Sequence, residues 1–146
     1  MASVVFGEMK KHDQNIEKLD KSRSRVKNSF VAYLLVAQEK AKKAGISLYF
    51  SNPFSQDYNI STLTIEGDKV TENRDIHSDP RSVEASLPAQ EYIMKESNAG
   101  SDRTKYGFNV TTAKKAVKQI ERVLKRKGFL ITKEELLEKL NDLSYS

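Results

Sequence analysis

The sequence predicts an α+β fold: a long N-terminal helix packed on a small antiparallel sheet of about three strands, followed by C-terminal helices. Three observations predict it. From Asp13 to Ala44 the chain holds no Gly or Pro, and its apolar residues recur with helical period. After Gly45 the period drops to two, with turn residues separating short β-rich runs. Beyond Pro88 the helical period returns in segments broken by Gly and Ser. The 146 residues fit one domain, 1–146, in which 1–12 form a flexible or strand-forming N-terminal segment.

In the first helix Ile16, Leu19, Val26, Phe30, Tyr33, Leu34, Ala37, Ala41 and Ala44 share one stripe. Lys42 and Lys43 complement the macrodipole in its last turn, and Gly45 stops it. Arg23 projects into the apolar stripe, so the first two turns overhang the core or meet another chain, unless the arginine simply snorkels.

Ile46 to Phe50 reads as a strand, Asn52 to Asp57 as a turn-rich loop and Ile60 to Ile65 as a second strand. Glu66-Gly-Asp-Lys69 is a tight turn into a third strand, Val70 to Asp75, which completes a hairpin. Ile76 to Leu87 is polar, contains Asp79-Pro80 and reads as an irregular excursion. Pro88 then opens a short helix reaching about Ser97, with proline in the first turn where its missing N–H is harmless.

Residues 97–107 are the most loop-like stretch of the chain. A basic helix follows, capped by Thr111 or Thr112 and ended by Gly128. Thr132-Lys-Glu-Glu135 is a capping box, flanked by Ile131 and Leu136 in staple positions. It opens a last helix that carries Leu136, Leu137, Leu140 and Leu143.

The basic helix carries the functional signal. At 100° per residue Ala113, Ala116, Val117, Ile120, Val123 and Leu124 form one stripe. Lys114, Lys115, Lys118, Arg122, Lys125 and Arg126 crowd the other side. Glu121 is the only acid among them, so the i,i+4 pairing that neutralises an ordinary surface helix is largely missing. Charge is also polarised along the chain: residues 1–45 hold ten Lys/Arg against five Asp/Glu, 46–110 six against ten, and 111–146 nine against five. Such asymmetry points to a polyanionic partner, though an acidic middle can equally neutralise basic ends within one fold.

Two lesser clusters accompany it. Arg103 and Lys105 alternate with Tyr106 and Phe108, a combination able to stack on unpaired bases, although such aromatics more often tie a loop to the core. Lys18, Lys21, Arg23, Arg25 and Lys27 lie on the first half of the long helix, diluted by Glu17 and Asp20, and read mainly as a solvated face. The second helix of the C-terminal pair begins with Glu134 and Glu135, which argues against a helix-turn-helix whose second helix enters a groove.

Enzyme signatures are scarce. The two histidines, His12 and His77, sit in separate polar segments, so a histidine-dependent nuclease ranks third. No phosphate-binding Gly loop is present, and the acids Asp57, Glu66, Asp68, Glu72, Asp75 and Asp79 match no metal-ligand spacing. With no cysteine, disulfides, Cys-ligated zinc and thiol nucleophiles are excluded. The N-terminus lacks a secretory pattern, and the longest strongly apolar run, Phe30 to Ala37, is too short for a bilayer.

The sequence therefore predicts a small, basic, non-enzymatic, cytoplasmic protein without cofactor, metal or membrane partner. It binds nucleic acid or nucleoprotein through Lys114, Lys115, Lys118, Arg122, Lys125 and Arg126, with Arg103 and Lys105 beside them. The alternative is an assembly or regulatory adaptor that uses the long helix to bind another protein or itself. Lack of Cys and Trp beside abundant Lys, Ser and Asn is a composition common in small phage-encoded proteins.

Overall fold

A computed structural model describes residues 25–54, 61–74, 80–98 and 108–144. The order of elements is a helix over 25–44 (α1), strands β1 (Ser47–Ser51), β2 (Ser61–Glu66), β3 (Lys69–Arg74) and β4 (Arg81–Glu84), then helices α2 (Ala89–Asn98), α3 (Val110–Arg126) and α4 (Lys133–Ser144). The fold is α+β, and the strands form one antiparallel sheet in the order β1-β2-β3-β4. The fourth strand corrects the three-stranded expectation. Arg81 to Glu84 pair with Thr71 to Arg74 although all four residues are exposed. A strand on the rim of a sheet buries neither face, so its sequence shows no apolar alternation, and only its partner makes it a strand.

One face of the sheet is apolar and the other polar. Leu48, Phe50, Leu63, Ile65 and Val70 turn toward the helices and are almost fully buried. Their neighbours along the strands, Tyr49, Thr62, Thr64, Thr71 and Asn73, turn to the opposite side, as a period of two requires.

Helix α1 lies over the apolar face and is buried nearly all round. Beyond the expected stripe, Val31, Ala32, Leu35, Val36 and Gln38 are also buried. The reason is that every flank has a neighbour. Phe30 meets Phe50 of the sheet at 6.5 Å between ring centroids. Lys27 donates to the Ser97 carbonyl of α2 at 2.9 Å, and the Tyr33 hydroxyl donates to the Val117 carbonyl of α3 at 3.4 Å. On the side away from the sheet, Lys40 pairs with Glu135 at 2.7 Å and Glu39 with Lys139 at 3.0 Å, which docks α4. An amphipathic stripe marks the first face that a helix buries; it does not reveal that other helices will cover the rest. Residues 13–24, where Arg23 falls, lie outside the described residues.

The hairpin tip is held from two directions. Gln38 donates to the Gly67 carbonyl at 2.9 Å, Lys42 pairs with Asp68 at 2.8 Å, and the Ala89 N–H at the start of α2 donates to the Asp68 carbonyl at 2.9 Å. α1 and α3 end alike. Gly45 and Gly128 take φ of +69° and +81°, and the residue after each donates back to the carbonyl five positions earlier, Ile46 to Ala41 and Phe129 to Leu124. This closing geometry needs a left-handed residue, which glycine adopts without steric cost.

Candidate nucleic-acid interface

The start of α3 is fixed by residues just before it. Phe108 packs with Phe30 and Phe54 at centroid separations of 6.0 and 5.9 Å. The Asn109 N–H donates to the Pro53 carbonyl at 2.9 Å, and the Asn109 side chain accepts the Thr112 N–H at 2.9 Å. Asn109, not Thr111 or Thr112, is thus the N-cap. Its extended backbone (φ −98°, ψ 110°) leaves the amide oxygen facing the first turn, and asparagine ranks above threonine at this position.

From that anchor α3 buries Ala113, Ala116, Ile120 and Leu124 against the core. Two flanks of the helix are then defined by contacts. Val117 faces α1 through the Tyr33 hydroxyl, whose ionisation burial and the nearby Glu121 push up to about 12. Gln119 faces the sheet, where its side-chain carbonyl accepts the outward-pointing N–H of Ser51 at 2.8 Å. The Ser51 group belongs to the outer edge of β1, so α3 covers an edge that would otherwise be open to another strand.

The six expected cations, Lys114, Lys115, Lys118, Arg122, Lys125 and Arg126, are all exposed on the remaining side. They span about 18 Å of helix at 1.5 Å per residue. Among the described residues, the ion pair that reaches them is Lys125–Glu121, an i,i+4 contact at 2.9 Å between half-exposed side chains. Such a pair is weak in water, so the helix presents a field of one sign. Arg103, Lys105 and Tyr106 lie outside the described residues, as do His12, His77, Lys18, Lys21 and Arg23. Phe108 is a core anchor and not a surface group.

Of the lesser basic cluster, Arg25 and Lys27 are among the described residues. Arg25 is exposed, but Lys27 folds inward onto Ser97, and burial lowers its pKa from the ordinary lysine value. Sequence reasoning also overlooked Tyr49. It is 55% exposed on the polar face of β1, between the buried Leu48 and Phe50. The alternation Ser-Leu-Tyr-Phe-Ser was sufficient to find it, because whichever face takes leucine and phenylalanine sends the tyrosine to the other.

Among the described residues no group of three or more His, Asp or Glu side chains is placed to hold a metal ion, and no helix is long and apolar enough to cross a membrane. Comparison with protein-family models, with curated proteins and with solved structures gives no match to this chain.

Proposed function

We propose that this chain is a small non-enzymatic protein that binds nucleic acid, free or within a nucleoprotein, by laying the exposed face of α3 along a phosphate backbone. The observation that supports it is the set of six exposed cations with one carboxylate among them on a helix whose opposite side is locked into the core. A rigid helix holds its cations at fixed spacing, so binding costs little ordering beyond that of the side chains. Phosphate contact of this kind positions a ligand without reading its sequence. A reducing, cytoplasmic setting accords with a cysteine-free chain and such a partner.

The test is charge reversal. Lys118→Glu, Arg122→Glu and Lys125→Glu together abolish binding of a labelled oligonucleotide at low salt while circular dichroism keeps its helical signal, since all three side chains are exposed. Wild-type protein that binds neither DNA nor RNA at low salt ends this reading.

A second reading, a protein-binding adaptor, draws support from Leu130 and Leu137, which are 65% and 55% exposed at the α3–α4 connection and on α4. On that reading the described part of the long helix, residues 25–44, contributes little surface, because α1 is enclosed by the sheet and three helices; its first half, with Ile16 and Leu19, lies outside the described residues.

A further inference from the structure

Helix α3 lies along the β1 edge, and β1 is the strand that displays Tyr49 on the polar face of the sheet. The helix runs antiparallel to β1: Asn109 meets Pro53 and Gln119 meets Ser51, so residues after Gln119 advance along the strand toward Tyr49. By helical geometry Arg122 and Arg126 stand 60° and 20° from Gln119, on its solvent side, at 100° per residue. Both arginines are exposed and lie on the part of α3 beyond Gln119, on the side turned from the core. Tyr49 lies two residues from Ser51 on the same side of β1, roughly 7 Å along the strand.

Beside the tyrosine the open face carries an ordered polar network. Thr64 is its cross-strand partner. Ser82 donates to the Asn73 side-chain carbonyl at 2.7 Å, and the Asn73 amide donates to the Thr64 hydroxyl at 3.4 Å. At the far rim Glu84 pairs with Lys69 at 3.6 Å. The surface thus runs from cationic at α3, through one exposed aromatic ring, to hydrogen-bonding groups and then to an ion pair.

We infer that the ligand is single-stranded nucleic acid, with a base stacked on the Tyr49 ring and the backbone held by Arg122 and Arg126. The inference rests on the nucleic-acid reading of α3 and adds the form of the ligand to it. Charge orders the ligand on the surface: phosphates go to the arginine side, where cations are in excess, and not to the neutralised Lys69–Glu84 rim, which turns the bases inward over Tyr49 and Thr64. A duplex keeps its base faces inside the stack and offers the tyrosine nothing to lie against, whereas a single strand exposes them.

The experiment uses the full chain. It contains no tryptophan, so Tyr49→Trp creates a lone tryptophan at the proposed platform, excited selectively over the remaining tyrosines. Oligothymidylate of about a dozen nucleotides quenches its emission, saturating at the concentrations where a labelled copy shows binding by anisotropy. Tyr49→Ala weakens binding of that oligonucleotide by roughly 5- to 150-fold, the range that loss of one stacked base gives, and leaves the weaker binding of a duplex of equal length unchanged. Unquenched tryptophan on a bound oligonucleotide overturns the inference, as does wild-type preference for duplex or full single-strand affinity in Tyr49→Ala. Each of these leaves the α3 reading standing. Absence of binding to either form overturns both.

Discussion

The side-chain carbonyl of Gln119 accepts the backbone N–H of Ser51 at 2.8 Å, and this bond joins α3 to the outer edge of the sheet. One contact serves two ends. It satisfies a partly buried donor that no strand pairs, and it sets the rotation of α3 about its axis, so that Ala116 and Ile120 face inward and Arg122 faces out. Replacing Gln119 with leucine leaves the Ser51 N–H unsatisfied and is expected to cost about 1–3 kcal/mol. Glu at the same position keeps an acceptor and recovers part of the loss. Urea denaturation of the two variants checks this; equal stability of Gln119→Leu and wild type would mean that water replaces the bond.

The salt dependence of binding measures how many phosphates α3 engages. On duplex DNA, neutralising four to six phosphates gives a log–log slope of roughly −3.5 to −5.5, and affinity that varies little between sequences. Lys114→Ala, Lys115→Ala and Lys118→Ala each flatten that slope by about one. A strong preference for one sequence together with a nearly flat salt response would show that base edges are read by another element.

Acid should loosen the α1–α4 contact. The Lys40 ammonium, with help from the Thr132 backbone and hydroxyl, holds the Glu135 carboxyl below its ordinary value of 4.5. A folded pKa below the unfolded one contributes stability that is present above 4.5 and lost as pH falls through the folded value. Glu135→Gln retains an acceptor for the Thr132 N–H, which the carboxylate takes at 3.1 Å, but drops the ion pair. Its denaturation midpoint is expected to lie below that of wild type near neutral pH, with the gap closing in acid. A gap independent of pH would assign the loss to packing.

The adaptor reading makes its own prediction. If Leu130 and Leu137 form a self-association surface, sedimentation gives a mass above 16.6 kDa, and Leu130→Ser with Leu137→Ser restores the monomer. A monomer at high concentration removes self-association.

By itself the sequence determined the elements whose signals are local. The period of the first helix, the Gly45 and Gly128 stops, the hairpin at Gly67-Asp68 and the Thr132–Glu135 capping box all depend on residues within a few positions of one another. The box appears as drawn, with Glu135 N–H donating to the Thr132 hydroxyl at 3.2 Å. The exposed face of α3 was legible for the same reason, since helical spacing alone separates its lysines from Ala113, Ala116, Ile120 and Leu124. Only tertiary structure decided the rest. β4 exists because β3 pairs with it, and α1 is enclosed because three helices and a sheet converge on it. Asn109 became the N-cap once Phe108 and Pro53 fixed the backbone ahead of it. Tyr49 and Arg122 are more than seventy positions apart in the chain, and no periodicity links them. The bond from Gln119 to Ser51 sets the helix that carries one against the strand that carries the other, and a relation of that kind depends on which edges and faces remain unburied after the core has closed.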